Sequence, residues 1–160
     1  MIRTLLLFLF ILLTFYCYGA GMMDYFAVYE AWKMIDEGIF ASFHQFQGSR
    51  IIPIFVIPSG IMTIFNLLAA VFPAAYVNRK LVWLSLFAYA FDWIFSFTMQ
   101  IPIQLKLEEY KSMELIDELL RTNWWRFGAD TIQFVIVCVL VWQLLWRLQV
   151  QSRRNKAEHG

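Results

Sequence analysis

The sequence has few charged residues and very few histidines and cysteines. Only 16% of its 160 residues are charged, whereas an ordinary soluble domain has about 25%. The two cysteines, Cys17 and Cys138, lie within apolar runs and lack the spacing of a metal site or a redox pair. The two histidines are His44 and His159, the latter in the polar C-terminal tail. A metal or haem site with several histidines from one chain is therefore excluded.

Other familiar motifs are lacking as well. The chain has 7 glycines and no glycine-rich phosphate loop, and it has neither a Ser-His-Asp arrangement nor a His-x-x-x-His spacing. Its net charge is +1 and its basic residues are scattered, whereas nucleic-acid binding requires a concentrated basic face. We therefore expect no nucleic-acid partner, no metal and no cofactor.

Apolar residues, by contrast, are abundant: 61% of the chain is hydrophobic and 19% is aromatic. A soluble chain of this length has too little interior to bury so much apolar surface. Four segments reach the roughly 20 residues that a transmembrane helix needs, at about 4–23, 51–73, 81–101 and 128–148. The sequence predicts an all-α transmembrane four-helix bundle, 1–160, with outer connections at 24–50 and 102–127 and a tail at 149–160.

A signal peptide is the alternative for the first segment, since Arg3 precedes its apolar stretch. Phe15, Tyr16 and Tyr18 stand where a signal peptidase requires small residues, which favours a retained helix.

Basic residues near the predicted helix ends indicate the orientation. One set is not balanced by acidic residues and is therefore predicted to be cytoplasmic: Arg3, Arg79, Lys80, Arg147, Arg153, Arg154 and Lys156. The short turn at 74–80 makes its two helices antiparallel neighbours. We expect an up-down bundle with both termini in the cytoplasm, in a bacterial inner membrane.

The outer connections have amphipathic patterns. Residues 24–37 have helical periodicity that ends at Gly38, which predicts a helix lying on the membrane surface, although a re-entrant segment stays open. In the second connection, Ser112 is positioned to cap a helix on which Asp117 and Arg121 are spaced to pair.

Polar residues recur on one face of several predicted helices. They are expected to face one another or a wet cavity, and they comprise Asp24 on the first helix, Ser59, Thr63 and Asn66 on the second, Asp92, Ser96, Gln100 and Gln104 on the third, and Asn123, Arg126, Asp130 and Gln133 on the fourth. Together they predict a polar pocket that opens outward.

Structural roles are the alternatives. Ser59, Thr63 and Asn66 are typical of hydrogen bonds between transmembrane helices. Asp92, with no Lys or Arg in any predicted span, is either functional or protonated and bonded to Asn66. Arg126 and Asp130 are spaced for a salt bridge within one helix.

Three stretches resemble the anthrone oxygenase-like family of small four-helix membrane proteins, whose bacterial members are mostly of unknown function. They are Phe43-His44 through Arg50-Ile51-Ile52-Pro53, Gln100-Ile101-Pro102-Ile103-Gln104, and Leu119-Leu120-Arg121-Thr122-Asn123-Trp124-Trp125-Arg126.

The resemblance implies oxidation of an aromatic polyketide anthrone to a quinone without a cofactor. His44, as a general base, and Arg126 and Asn123, as oxyanion ligands, are the implied catalytic residues. The other reading of His44 is an exposed interfacial histidine. The predicted substrate-binding residues are Trp124, Gln100, Gln104, Asp130, Asp24 and Asp92.

Three functions are therefore considered. The first is binding or oxidation of a hydrophobic aromatic or quinone-like molecule, taken up from the lipid bilayer. The second is a non-enzymatic accessory or assembly subunit of a larger membrane complex. The third is a small proton-coupled transporter built as a homo-oligomer, suggested by Asp92.

Overall fold

The computed structural model describes residues 1–158 and contains no strand within them. Its four long helices are α1 (Ile2–Met34), α2 (Glu37–Val71), α3 (Arg79–Leu107) and α4 (Met113–Glu158). All four are long and apolar enough to cross a membrane. The prediction of an all-helical chain with four helices able to cross a membrane is confirmed. His159, in the predicted tail, lies outside the described residues.

The four helices pack as a ring. Helix α1 contacts α2 and α4, and α3 contacts the same two helices from the other side. Each helix places one fully buried apolar side chain in the centre, namely Phe10, Met62, Val82 and Leu140. Lipid is as apolar as these side chains, so close packing rather than exclusion of water holds this part of the bundle together.

Three helices contain one π-helical turn each, at Asp24–Val28, Ile52–Val56 and Ser96–Gln100. In α2 and α3 the wide turn lies beside prolines, which lack an N–H group and collide with the carbonyl four residues earlier. The carbonyl of Ile54, four residues before Pro58, instead accepts a hydrogen bond from the Tyr16 hydroxyl at 2.8 Å. The wide turns therefore let these helices continue where prolines would otherwise end them.

The helices extend further than the predicted spans. Residues 24–34 continue α1, 37–50 begin α2 and 113–127 begin α4, so these segments are not separate surface helices. Gly38 does not end a helix, because Asp36 caps the start of α2 by accepting a hydrogen bond from the Gly38 amide at 2.8 Å. The apolar runs locate only the part of a helix that lies in hydrocarbon. Helix α1, with 33 residues, is about 50 Å long at 1.5 Å per residue.

The connections α1–α2 and α3–α4 meet at one end of the bundle, which we call the capped end. Lys33 Nζ lies 2.8 Å from Asp117 Oδ1, and Lys111 Nζ donates to the carbonyls of Lys33 and Ile35. The predicted pairing of Asp117 with Arg121 is therefore wrong. The predicted cap of α4 is confirmed, since the Leu115 amide donates to Ser112 Oγ at 3.3 Å.

A second apolar cluster lies beneath the capped end and includes Trp32, Phe40, Leu107, Ile116 and Leu119. It covers the ends of α1 and α3 and the start of α4. The capped end is thus a packed structure and not a pair of loose loops.

We predict that Lys111→Met loosens the capped end, because it removes two hydrogen bonds from a charged donor to the last carbonyls of α1. Limited proteolysis with an enzyme that cleaves after acidic residues should cut at Asp36 or Glu37 about tenfold faster, as expected for a loss of roughly 1.5 kcal/mol. Lys106→Met, which changes an exposed lysine of α3, should leave the rate unchanged. Equal rates for the two variants would show that Lys111 does not hold the capped end.

Candidate functional site

A cavity of about 610 Å³ lies between α2 and α3, and residues of α1 and α4 form its back wall. Its size is within the range of small-molecule sites in proteins. The cavity reaches from Ser59 and Tyr89, deep in the bundle, to Gln45 and Glu108 near the capped end. One continuous space therefore connects the interior of the bundle with the capped end.

The mouth of the cavity is apolar and faces sideways. Ile52 and Val56 of α2 and Ile101 and Leu105 of α3 line it, and all four side chains are exposed on the outside of the bundle. In a membrane, such outward faces of spanning helices contact lipid. The opening is thus accessible to a molecule dissolved in the bilayer.

Aromatic side chains form much of the inner wall, including Trp32 of α1 and Tyr89 and Trp93 of α3. Trp93 Nε1 donates to Thr63 Oγ1 at 2.9 Å, and Trp32 Nε1 donates to Gln47 Oε1 at 2.6 Å. These bonds fix the two indole rings in the wall, where they give the cavity an aromatic lining.

A buried ion pair forms part of the wall of the cavity. Arg126 Nε lies 2.9 Å from Asp92 Oδ1, and the two side chains are only 9% and 5% exposed. The prediction that no basic residue accompanies Asp92 is wrong, because α4 begins at Met113 and carries Arg126 inward. Asp92 is not bonded to Asn66 either; the Asn66 amide lies 3.2 Å from the hydroxyl of Ser85.

Two further aspartates surround this pair. Asp24, on the wall of the cavity, is buried beside Tyr29 and Arg126. Asp130 is also buried and accepts a hydrogen bond from the Tyr25 hydroxyl at 2.5 Å, so the predicted pairing of Arg126 with Asp130 is not found. Three buried carboxyl groups therefore lie near one guanidinium group, and only that of Asp92 forms an ion pair with it.

His44 is buried in the upper wall of the cavity and is not the exposed interfacial histidine that we considered. Its ring stacks on Phe40 and meets the edge of Trp32. His44 Nε2 lies 2.8 Å from Gln104 Oε1. Because an amide oxygen only accepts hydrogen bonds, Nε2 carries the proton, and in the neutral ring Nδ1 keeps its lone pair.

Unpartnered polar atoms concentrate in this cavity. Among residues 1–158, six buried side-chain polar atoms have no hydrogen-bond partner, and four of them belong to residues that line it, namely His44 Nδ1, Ser59 Oγ, Ser96 Oγ and Gln100 Oε1. Buried polar groups in native proteins are almost always hydrogen-bonded, to protein, water or a ligand. The concentration of these atoms makes the cavity the candidate binding site.

The structure brings six of the predicted site residues to this cavity, namely Asp24, His44, Asp92, Gln100, Gln104 and Arg126. Asn123 and Asp130 are buried on α4 but do not line it. Trp124 is 61% exposed and packs on Phe26 and Phe127 at the surface, so we place it outside the site.

The sequence reasoning missed the aromatic wall. Tyr89 precedes Asp92 by three residues and so continues the series Asp92, Ser96 and Gln100 along one face of α3. That spacing could have been used to predict that Tyr89 lies on the same buried face. Tyr29 and Trp32 were assigned to a surface helix, because the continuation of α1 through its π-helical turn was not foreseen.

The interhelical bonds expected of the polar residues of α2 are confirmed at two positions. Thr63 accepts from Trp93, and Asn66 contacts Ser85. Ser59 differs, since its hydroxyl has no partner and lines the cavity.

Comparisons with protein-family models, with curated proteins and with solved structures find no match to this chain. We therefore infer function from the geometry of the cavity.

We predict that Arg126→Met destabilises the protein by about 3–5 kcal/mol, because it leaves buried carboxylates without a cation. Arg121→Met, on the exposed face of the same helix, should change stability by less than about 0.5 kcal/mol. The measurement is unfolding in detergent titrated with a denaturing surfactant.

The double variant Asp92→Asn/Arg126→Met removes both members of the pair and should recover part of the loss, giving a coupling of at least about 1 kcal/mol in the double-mutant cycle. If the two losses simply add, the ion pair does not stabilise the bundle.

Proposed function

We propose that this protein binds a lipid-soluble aromatic molecule bearing hydroxyl groups, such as a hydroquinone or a polycyclic phenol, in the cavity between α2 and α3. The observation that carries the proposal is the set of four unpartnered polar atoms inside one cavity with an apolar lateral mouth. Such a site requires a ligand that is mostly apolar but has hydrogen-bonding groups at defined positions.

The route of access follows from the mouth. A hydrophobic ligand concentrates in the bilayer and reaches Ile52 and Ile101 without crossing water. The flat rings of Trp93 and Tyr89 then offer stacking surfaces. An aromatic ligand satisfies both features.

The polar groups favour a ligand that donates hydrogen bonds. Gln100 Nε2 already donates to Thr122 Oγ1 at 2.8 Å, so its Oε1 is left to accept. His44 Nδ1 accepts as well, and the hydroxyls of Ser59 and Ser96 can donate or accept. The reduced, hydroxyl-bearing form of a quinone supplies these donors, whereas the quinone form has only acceptors.

The enzymatic form of the proposal is a cofactor-independent oxygenase-like activity, in keeping with the resemblance of three stretches to the anthrone oxygenase-like family. His44 is the proposed base: Nδ1 takes the proton of the ligand hydroxyl while Nε2–H stays on Gln104. Arg126 is engaged by Asp92, so we assign it to holding that carboxylate in the wall. Asn123 is buried but does not line the cavity, so we assign it a positioning role rather than contact with the ligand.

We predict that the purified protein in lipid nanodiscs binds a tetramethyl hydroquinone saturably, with quenching of fluorescence from Trp32 and Trp93. Gln100→Leu should weaken binding about tenfold, since one hydrogen bond contributes up to roughly 1.5 kcal/mol. The matched control is Gln143→Leu, on α4 and outside this cavity. Equal affinities for both variants would place the ligand elsewhere.

We also propose an up-down arrangement with both termini in the cytoplasm and the capped end outside, in a bacterial inner membrane. The support is the distribution of charge. Arg79 and Lys80 follow the short α2–α3 connection, while Glu108, Glu109 and Glu114 lie in or beside the α3–α4 connection.

Reporter insertions test this topology. Alkaline phosphatase, which is active only outside the cytoplasm, should be active when inserted at 109–110 and inactive at 75–76. Green fluorescent protein fused after residue 160 should fluoresce. Activity at 75–76 with none at 109–110 would mean that the protein has the opposite orientation.

A further inference from the structure

We infer that the cavity is selective for charge and prefers a lipophilic aromatic cation to an anionic molecule of the same shape. This inference rests on the proposed function in so far as the ligand occupies the same cavity. It adds the charge of the ligand, which the unpartnered atoms alone do not determine.

The charged groups of the wall carry the inference. Asp24, Asp92 and Glu108 line the cavity, and within the described residues Arg126 is its only lysine or arginine. Arg126 forms an ion pair with Asp92. Among the described residues, neither Asp24 nor Glu108 forms an ion pair with a lysine or arginine, although Asp24 lies near Arg126.

Neighbouring basic side chains are directed elsewhere. The Arg50 guanidinium lies 5.2 Å from the centre of the Phe46 ring. Lys111 donates to backbone carbonyls at the capped end, and Lys33 pairs with Asp117. These contacts leave the acidic character of the cavity uncompensated, and in a low-dielectric setting a cationic ligand offsets it.

The aromatic residues of the wall are a second reason, independent of the carboxyl groups, to expect a preference for cations. Tyr29, Trp32, Tyr89 and Trp93 line the cavity, and aromatic rings attract cations. The unpartnered Gln100 Oε1 and His44 Nδ1 add two acceptors. Acidic groups, ring faces and lone pairs together favour positive charge and repel an anion.

Two probes of equal shape and opposite charge test the inference. Tetraphenylphosphonium and tetraphenylborate each carry four phenyl groups, and tetramethyl hydroquinone serves as the neutral probe. Saturable binding is measured in nanodiscs of zwitterionic lipid, with empty nanodiscs to subtract partitioning into lipid. We expect saturable binding of the phosphonium, at least tenfold tighter than any binding of the borate, and displacement of the hydroquinone by the phosphonium.

Glu108→Gln and Glu109→Gln are the matched variants, because Glu108 lines the cavity and its exposed neighbour Glu109 does not. Glu108→Gln should weaken phosphonium binding several-fold, and Glu109→Gln should leave it unchanged. Asp24→Asn should weaken it at least tenfold, and Glu108→Gln, near the surface, keeps the test decisive if Asp24→Asn fails to fold.

The outcomes separate the two proposals. If the hydroquinone binds and the borate binds as tightly as the phosphonium, charge selectivity is refuted and the proposed function stands. If the phosphonium binds in a carboxylate-dependent manner and the hydroquinone does not bind, the charge inference stands and the hydroxyl-bearing ligand is refuted. Binding of none of the three probes refutes both.

Discussion

The buried ion pair between Asp92 of α3 and Arg126 of α4 is the interaction on which the rest of the site depends. Taking two charges out of water is costly, and their attraction offsets that cost only when the geometry is good. The pair fixes α3 against α4 within the wall of the cavity. It also occupies the one guanidinium group of the wall, so that the remaining carboxyl groups determine the electrostatic character of the cavity.

Much of the helical architecture could be predicted from the sequence. The apolar runs located all four membrane-crossing helices, and the spacing of Asp92, Ser96 and Gln100 placed these side chains on one buried face. Both features follow from the regular geometry of a single helix, and that geometry produces a periodic pattern in the sequence. The same regularity explains why six of the predicted site residues line one cavity.

The pairing of those residues could not be predicted. Asp92 was matched with Asn66 by depth, and Arg126 with Asp130 by spacing, but the observed partners come from different helices. Which side chains meet across a bundle depends on the rotation of each helix, and π-helical turns change that rotation. The π-helical turn at Asp24–Val28 could not be predicted from its residues. Unlike the turns of α2 and α3, it has no proline in or beside it.

The wide turn of α1 has a consequence for how much chemistry a short chain can hold. Along a regular helix an inward-facing position recurs every three or four residues, so neighbours in sequence point in different directions. In α1 both Asp24 and Tyr25 are buried, the first beside Arg126 and the second on Asp130. The wide turn thus begins with a carboxyl group and a hydroxyl group at consecutive positions of α1, and each meets a different residue of α4.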